Sequence, residues 1–532
     1  MNGHKQFMKT IKIWPFLLIG ITLLAGLMIF TLPHAVFGDT SHVSALFLEA
    51  DQPDSKQIES ELASEAVLQA KQFEVNWDAL KNGRAQRLAL NLFDDQVVTA
   101  VRDRRDQSMG ASYVWVGHVE DKPYSHVSLS VVDNVLVGTI SLSPVELYEI
   151  SYSRGNIHLL RQLDLQWQHN STIDDAVYPP ETAVFDYTSD PAQAACDDDP
   201  GQIDVLVLYT ADARIAQGGT AAIEAWINDR ISQSNSANSN SLVAQQINLV
   251  HVAETNFIPS GNISQDLANL RSTDDIYLPE AHILRDTYAA DMVALVIAEG
   301  NNDACGVGYT MSIPGSWFTN YAFSVTGLDY PGPSFCSSTT FTHELGHNHG
   351  NQHDHANSAG PGAYPYSHGY QAPNNDFRTL MAYNCTGGCP RINYWSNPDV
   401  SYQSQPTGIE YADDPNLAAD NARSMVETAP IVANFRRACL QNPTPTATLP
   451  PTSSPTATTM PTNTPSPEPT QTSQPTVTQT SQPTATQTQQ PPTATVTPTV
   501  TTTTTPPPAT TTPTATAVVP RSYLYFFPAI FQ

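Results

Sequence analysis

The residues between 441 and 520 restrict the fold of this chain more than any other segment. They contain a single charged residue, Glu468, and 18 of the 42 prolines of the chain lie between Pro443 and Pro513. Proline donates no backbone hydrogen bond, and the segment shows no apolar periodicity from which a core could be packed. We therefore predict a disordered Pro/Thr-rich linker over residues 441–520, and we expect the folded part of the 532-residue chain before it.

Both termini carry apolar segments. Three lysines precede an apolar run from Ile13 to Phe30, which is typical of a signal peptide, here predicted over residues 1–38. The run is close to the length that spans a bilayer, so an uncleaved membrane anchor remains the alternative. The apolar tail, residues 521–532, is too short to cross a membrane, but together with the linker it could attach the protein to the cell envelope.

The charge balance argues against nucleic acid as a partner. The formal net charge is −27, so a phosphate backbone would be repelled. The six cysteines are an even number, which suits disulfide formation in an oxidising compartment. We expect a secreted or cell-surface protein, and nothing in the sequence indicates an oligomeric state.

The apolar pattern divides the remaining chain into two folded regions. Residues 39–195 contain no cysteine and show short alternating apolar runs, which indicate a β-rich domain. Residues 196–440 alternate between apolar strands and helices, as in an α/β (α+β) domain with a mixed twisted sheet. A Pro-rich, acidic stretch puts the boundary near residues 190–200. The expected strands are 87–93, 113–117 and 135–140 in the first region and 203–209, 247–253 and 292–298 in the second, with helices at 220–234 and 278–288.

The strongest chemical signal is a histidine-rich segment. On a helix, His343 and His347 lie one turn apart on the same face, so both imidazoles can reach one metal ion, with Glu344 beside them. Gly350 can adopt the positive φ that ends the helix and turns the chain, which brings in His353 as a third ligand. Three nitrogen ligands leave the fourth tetrahedral position of a zinc ion for water, as catalysis requires.

Two further histidines leave a structural zinc site as the alternative. A fourth protein ligand would close the coordination shell, and His349 and His355 are near enough in sequence to be candidates. His349 faces away from His347 on the helix because it is two residues later, and His355 lies just after His353. We therefore interpret both as surface histidines and predict one catalytic zinc; structural calcium is not indicated.

This pattern resembles a known family. The residues from His343 to His353, spaced His-Glu-x-x-His-x-x-Gly-x-x-His, are similar to the extended zinc motif of the metzincin metalloproteases. Metzincins carry a methionine on a tight turn beneath the zinc, and Met381 lies 28 residues after the third histidine. Asp354, directly after the third histidine, makes the motif similar to that of the reprolysin-like branch. The residues that follow Met381 are most similar to those of bacterial peptidyl-Asp metalloendopeptidases. The resemblance covers about residues 196–439.

The resemblance implies a role for each matching residue. His343, His347 and His353 would bind zinc, Glu344 would act as general base, and Met381 would support the site. Physical chemistry agrees, since zinc lowers the pKa of a bound water toward about 7 and a neighbouring carboxylate can take its proton.

Two residues near the methionine have implied roles that leave alternatives open. Tyr383 occupies the place where some metzincins have a tyrosine close to the zinc, where it could donate a hydrogen bond to the oxyanion; a buried tyrosine packed below the helix is the alternative. In metzincins the segment that contains Arg391 lines the pocket for the residue after the scissile bond, so Arg391 could bind a substrate carboxylate. A surface arginine paired with Asp399 is the alternative.

Six cysteines allow 15 disulfide connectivities. The candidate pairs are Cys385 with Cys389, Cys305 with Cys336, and Cys196 with Cys439. The first would pin the loop after the methionine, the second would tie an edge strand to the segment before the metal-binding helix, and the third would clasp the ends of the domain. A zinc site at Cys385 and Cys389 is disfavoured because no second Cys or His pair lies at a fitting spacing.

The sequence thus predicts a secreted zinc endopeptidase that acts on proteins or peptides. It would comprise a signal peptide, a β-rich propeptide domain, a metzincin-like catalytic domain, the linker and the tail. A non-hydrolytic, zinc-containing surface adhesin on the same fold is the alternative, and the β-rich region could instead be a permanent substrate-binding domain. Because residues 1–195 contain no cysteine, we expect the propeptide to cover the cleft by contact or with a carboxylate and to be cleaved off between about 185 and 202.

Overall fold

The computed structural model describes most of the chain between residues 43 and 438. The described residues are 43–93, 96–168, 175–180, 183, 198–274, 276–301, 304–329 and 334–438. All of them belong to one compact unit. The predicted signal peptide, linker and tail lie outside the described residues, as do Cys196 and Cys439. Among the helices that are described, none has the length and apolar character needed to cross a membrane.

The N-terminal region is a nine-stranded antiparallel sheet. Its strands are β1 (Phe47–Glu49), β2 (Val67–Val75), β3 (Arg87–Asn91), β4 (Val97–Gln107), β5 (Tyr113–Val119), β6 (Lys122–Val132), β7 (Val135–Ser143), β8 (Glu146–Arg154) and β9 (Ile157–Leu163). They lie in the order β1-β2-β9-β8-β7-β6-β5-β4-β3. A bridge between Ala45 and Ala89 joins the two edges, so the sheet curls around a core in which Trp115 is fully buried. The helices α1 (Ser55–Leu62) and α2 (Trp77–Leu80) connect the first three strands.

The second region is a mixed sheet flanked by helices, which confirms the predicted α/β architecture. Its strands are β11 (Gln202–Thr210), β12 (Gln246–Thr255), β13 (Met292–Glu299), β14 (Gly306–Tyr309) and β15 (Phe323–Asp329), and the N-terminal region adds β10 (Ala176–Val177) to this sheet. They lie in the order β10-β14-β15-β13-β11-β12. β14 runs antiparallel to β15, and the other neighbours are parallel.

In the described part of the second region, six helices and several short elements lie around this sheet. The helices are α3 (Ala211–Gln217), α4 (Thr220–Asn240), α5 (Ile263–Arg271), α6 (Pro279–Thr287), α7 (Thr340–Asn348) and α8 (Asn421–Val432). The short elements are the hairpin of β16 (Ser401–Tyr402) and β17 (Gln405–Pro406) and the 3₁₀ turns Leu165–Trp167, Ser316–Tyr321 and Pro373–Asn375. The strands expected at 203–209, 247–253 and 292–298 correspond to β11, β12 and β13.

Helix α4 lies between the two sheets and is longer than its apolar pattern predicts. Its later turns are buried by polar contacts, which an apolar periodicity cannot reveal. Arg104 of β4 donates through Nη2 to the carbonyl oxygen of Ser232 at 2.9 Å and to Ser236 Oγ at 2.8 Å, and Ser232 Oγ donates to Asp106 at 2.6 Å. The N-terminal region also contributes three valines to the core of the mixed sheet, Val132, Val135 and Val137.

Candidate active site

Helix α7 carries the first two histidines and lies against strand β14. Two glycines of that strand allow a close approach. A Cβ at Gly306 would lie 2.5 Å from Glu344 Oε1, and one at Gly308 would lie 2.9 Å from the carbonyl oxygen of Glu344. These two glycines therefore allow α7 to pack closely against β14. The histidine motif itself does not predict them.

The three predicted histidines meet at one point. His343 Nε2 lies 3.2 Å from His353 Nε2, and all three side chains are buried. Gly350 has a φ of +88°, so the turn after the helix forms as expected. His343 Nδ1 lies 2.8 Å from the carbonyl oxygen of Leu380, and His347 Nδ1 lies 3.0 Å from a second backbone carbonyl. Because a carbonyl can only accept, both rings carry the proton on Nδ1 and present Nε2 as a lone pair.

A fourth buried side chain, that of Asp175, lies at the centre of this cluster and offers a further ligand atom. Its Oδ1 lies 2.6 Å from His353 Nε2, 3.3 Å from His347 Nε2 and 3.5 Å from His343 Nε2. Burial raises the pKa of the Asp175 carboxyl, but the imidazoles of His353 and His343 outweigh that effect and hold the pKa well below its usual range. Sequence reasoning missed Asp175, because it is one aspartate of a pair in a polar connecting segment.

The donor set fits a zinc ion. The four side chains each offer one ligand atom, and these atoms lie within 4.8 Å of one another. Imidazole nitrogens with a carboxylate oxygen match the preference of zinc for nitrogen and oxygen donors, and four donors match its tetrahedral coordination. The backbone carbonyls that fix the imidazoles supply the outer hydrogen bonds that orient metal ligands.

Asp175 reaches the cluster because the next two residues form β10, which adds a strand to the mixed sheet. β10 is the edge strand of the mixed sheet and pairs in parallel with β14. The N–H of Gly308 donates to the carbonyl oxygen of Asp175 at 3.2 Å, and the N–H of Thr310 donates to that of Val177 at 2.9 Å. A segment of the N-terminal region therefore occupies the open edge of the sheet beside the histidines.

The methionine lies beneath the histidines, as the resemblance implies. Met381 is fully buried, and the N–H of Ala382 donates to the carbonyl oxygen of Thr379 at 3.1 Å, which closes a tight turn. A Cβ at Gly346, in the middle of α7, would lie 2.7 Å from Met381 Sδ. The sulfur thus packs directly under the helix that carries the first two histidines.

Tyr383 lies at the histidine cluster and not below the helix. The centroid of its ring is 4.2 Å from that of His353, and its hydroxyl accepts a hydrogen bond from the N–H of Asp175 at 3.2 Å. Its own N–H donates to Asp354 Oδ2 at 3.0 Å, which links the third-histidine loop to the methionine turn. This placement favours the interpretation that its hydroxyl takes part in the reaction.

Glu344 and Arg391 line the same cavity. Glu344 is 1% exposed, and the cavity beside it is bordered by His343, Tyr383 and Arg391. Arg391 donates through Nη2 to the carbonyl oxygen of Ala382 at 3.3 Å. Its Nε is buried and has no hydrogen-bond partner among the described residues, so the alternative of a surface arginine is wrong.

The expectation that His349 lies on the surface is also wrong. Its side chain is 1% exposed, because α8 packs over the end of α7, where Thr428 Oγ1 donates to the carbonyl oxygen of His349 at 3.0 Å. His355 is half-buried, with Nε2 2.8 Å from the carbonyl oxygen of Ala418. Neither residue joins the metal-binding group found among the described residues.

Two of the three expected disulfides are present. Cys305 is bonded to Cys336 and Cys385 to Cys389. The first joins β14 to the segment that leads into α7, and the second rules out a zinc site at that pair. The third expected pair, Cys196 with Cys439, lies outside the described residues.

The mixed sheet and its buried histidine centre are those of a metallopeptidase of the metzincin type. Residues 199–396 match the family described as Metallo-peptidase family M12. A peptidyl-Asp metalloendopeptidase of Xanthomonas campestris pv. campestris is 30% identical over 68% of this chain and 85% of that protein. One from Stenotrophomonas maltophilia is 31% identical over 68% and 86%, and one from Pseudomonas fragi is 33% identical over 38% and 100%. The chain belongs to this family, and it is a zinc metalloendopeptidase.

Proposed function

We propose that His343, His347 and His353 bind the catalytic zinc and that Glu344 is the general base of peptide hydrolysis. The observation that carries this proposal is the meeting of three imidazoles, two of them fixed by backbone carbonyls so that Nε2 faces inward. Zinc bound there supplies a water of lowered pKa and polarises the scissile carbonyl. Side chains of the protein carry out the proton transfers and bind the oxyanion.

Glu344 is placed to move the protons of the reaction. Its carboxylate lines the cavity next to His343 and is shielded from solvent. It accepts the proton of the attacking water and delivers it to the nitrogen of the leaving amine. The ring of Tyr383 lies 4.2 Å from that of His353, and its hydroxyl donates a hydrogen bond to the developing oxyanion.

Replacing Glu344 by Gln tests this assignment. The variant keeps all three histidines, so it should bind about one zinc per chain while kcat falls about 100-fold to 10,000-fold, the usual contribution of a general base. Zinc content by atomic absorption and turnover of a quenched fluorescent peptide give the two readouts. Near-normal turnover in Glu344→Gln would show that another group is the base.

We further propose that the enzyme prefers an acidic residue after the scissile bond. The relatives are named peptidyl-Asp metalloendopeptidases. Arg391 lies in the cavity beside Glu344, and its buried Nε has no hydrogen-bond partner in the part of the chain that the structure describes. Mass spectrometry of the products from a peptide library tests the preference. Enrichment of Asp or Glu directly after the cut supports it, and enrichment of apolar residues contradicts it.

We also propose that the N-terminal region, residues 39–195, is an inhibitory propeptide. Its Asp175 carboxylate fills the space among the histidines, and β10 covers the edge of β14. Cleavage between about 185 and 202 would release both. The N-terminus of the active protein, determined by Edman sequencing, tests this; an active enzyme that still begins near residue 39 contradicts it.

Export completes the proposed function. A signal peptide over residues 1–38 would direct the chain outside the cell, and the linker with its apolar tail would hold it at the envelope. The two disulfides of the catalytic region agree with an oxidising compartment. Fractionation of the producing cells tests this, and a protein found only in the cytosol contradicts it.

A further inference from the structure

Tyr178 of the N-terminal region lies in a notch that Gly360 and Gln352 form on the second region. It directly follows Val177, the last residue of β10, and the proline after it favours an extended backbone at this position. A Cβ at Gly360 would lie 2.8 Å from Tyr178 Cζ and 2.9 Å from its hydroxyl oxygen. The notch therefore holds an aromatic ring because position 360 has no side chain.

Gln352 forms the polar end of the notch. Its side chain is buried, and its Oε1 accepts a hydrogen bond from the N–H of His353 at 2.6 Å. This bond fixes the amide so that Nε2 faces the notch, where it donates to the hydroxyl of Tyr178. A buried N–H group without an acceptor is unfavourable. If Tyr178 leaves, the notch still offers this donor to another hydroxyl.

The notch and the cavity beside Glu344 lie towards opposite ends of β14. Gly306, the first residue of the strand, lines the cavity, whereas Tyr178 follows the residue that pairs with Tyr309, the last. Asp175, at the histidine cluster, precedes Tyr178 by three residues, which is about 10 Å of extended chain. A peptide that lies along β14 with the residue after its cut in the cavity therefore extends towards the notch with the residues before its cut.

We propose that this notch is a substrate subsite that binds a tyrosine side chain two or three residues before the scissile bond. In the uncleaved protein Tyr178 occupies the subsite, and a tyrosine of the substrate replaces it once the N-terminal region is released. The inference rests on the proposed function, because it takes the cavity with Arg391 as the place of the residue after the cut. It adds a second specificity determinant on the other side of the scissile bond.

The test uses enzyme processed from the full chain and two sets of quenched fluorescent peptides with Asp after the cut. One set varies the second residue before the cut and the other set varies the third, with Tyr, Phe or Ala in each. At one of the two positions, kcat/KM for Tyr should exceed that for Ala at least tenfold, because the ring leaves water in the notch. Tyr should exceed Phe about threefold, since only Tyr supplies an acceptor for Gln352 Nε2.

Gly360→Ala tests the notch itself. Gly360 is not one of the glycines with a positive φ, so its backbone accepts alanine. The new Cβ would displace the ring and its hydroxyl, so the ratio of kcat/KM for Tyr over Ala should fall at least threefold and that for Tyr over Phe should approach one. Gly201→Ala is the matched control, because its Cβ would meet only an exposed aspartate, and it should leave both ratios unchanged.

The outcomes separate this inference from the proposed function. A processed enzyme that cleaves neither these peptides nor any library peptide overturns the proposed function itself. An active enzyme that cleaves the Ala peptides as fast as the Tyr peptides at both positions overturns the subsite alone. A preference for Tyr that Gly360→Ala leaves intact also overturns it, because the preference then arises elsewhere. Equal rates for Tyr and Phe overturn the role of Gln352.

Discussion

The Asp175 carboxylate should hold the uncleaved enzyme inactive, and Asp175→Ala should release part of that inhibition. Its Oδ1 lies 2.6 Å from His353 Nε2, so in zinc-loaded protein it would occupy the ligand position that the catalytic water needs. A charge-assisted contact typically contributes about 1.5–3 kcal/mol, which serves as a lower bound for the contact of this carboxylate in the zinc-loaded site. Taking about 2 kcal/mol for this contact alone, the fraction of molecules with an open site rises about 30-fold, since 1.36 kcal/mol corresponds to a factor of ten.

The release should be incomplete. The backbone bonds from Gly308 and Thr310 to the segment after Asp175 do not involve its side chain, so β10 can still cover the edge of β14. Uncleaved Asp175→Ala should therefore be more active than the uncleaved wild type and less active than the mature enzyme. Asp175→Asn, which keeps the shape but not the charge, should fall between Ala and wild type.

The assay uses zinc-loaded, uncleaved protein and a short quenched fluorescent peptide, with a gel at each time point to show that the chain stays intact. Asp51→Ala is the control, because Asp51 is an exposed aspartate of the same region, and it should leave the activity unchanged. Equal activity of uncleaved wild type and uncleaved Asp175→Ala would refute the role of this carboxylate. Equal activity of uncleaved and mature wild type would refute inhibition by the region as a whole.

Two further predictions concern the support of the site. Gly306→Ala should lower kcat at least tenfold and leave the zinc content unchanged, because the new Cβ would lie 2.5 Å from Glu344 Oε1. Gly201→Ala is the control and should leave kcat unchanged, since its Cβ would lie 3.2 Å from an exposed aspartate oxygen. Removing the disulfide between Cys305 and Cys336, which closes a loop of 31 residues, should lower the free energy of unfolding by about 3–4 kcal/mol in the chain-entropy model. Removing the pair Cys385 and Cys389, with a separation of 4, should cost about 2 kcal/mol, and chemical denaturation measures both.

Features of the site that depend on local spacing could be predicted from the sequence. His343, His347 and the turn at Gly350 follow from one helical turn and one positive φ. The apolar runs likewise predicted β11, β12 and β13. Strands β11 and β13 are buried along most of their length, as the apolar runs of parallel sheets are, whereas β12 at the edge of the sheet is mostly half-buried. The disulfide partners Cys305 and Cys336 were one choice among several, and the structure selected it.

Features that depend on distant packing could not be predicted. Asp175 lies 168 residues before His343, and only the pairing of β10 with β14 brings it to the metal-binding site. His349 is buried by α8, which begins at Asn421, so no periodicity within α7 could show it.

The part of α4 that contacts β4 is polar, which suits a surface that is later exposed to water. Ser232 and Ser236 are buried under β4, where they form hydrogen bonds with Arg104 and Asp106. If cleavage releases the N-terminal region, water can replace these partners, and exchanging a protein hydrogen bond for one with water changes the free energy little. An apolar face exposed in the same way would favour aggregation. At these serines the second region would present hydroxyls to water if the N-terminal region were released. Val132, Val135 and Val137 instead belong to one apolar cluster with Trp226 and Ile231 of α4, so that part of the boundary would lose apolar cover, and we expect it to be the part that holds the two regions together before cleavage.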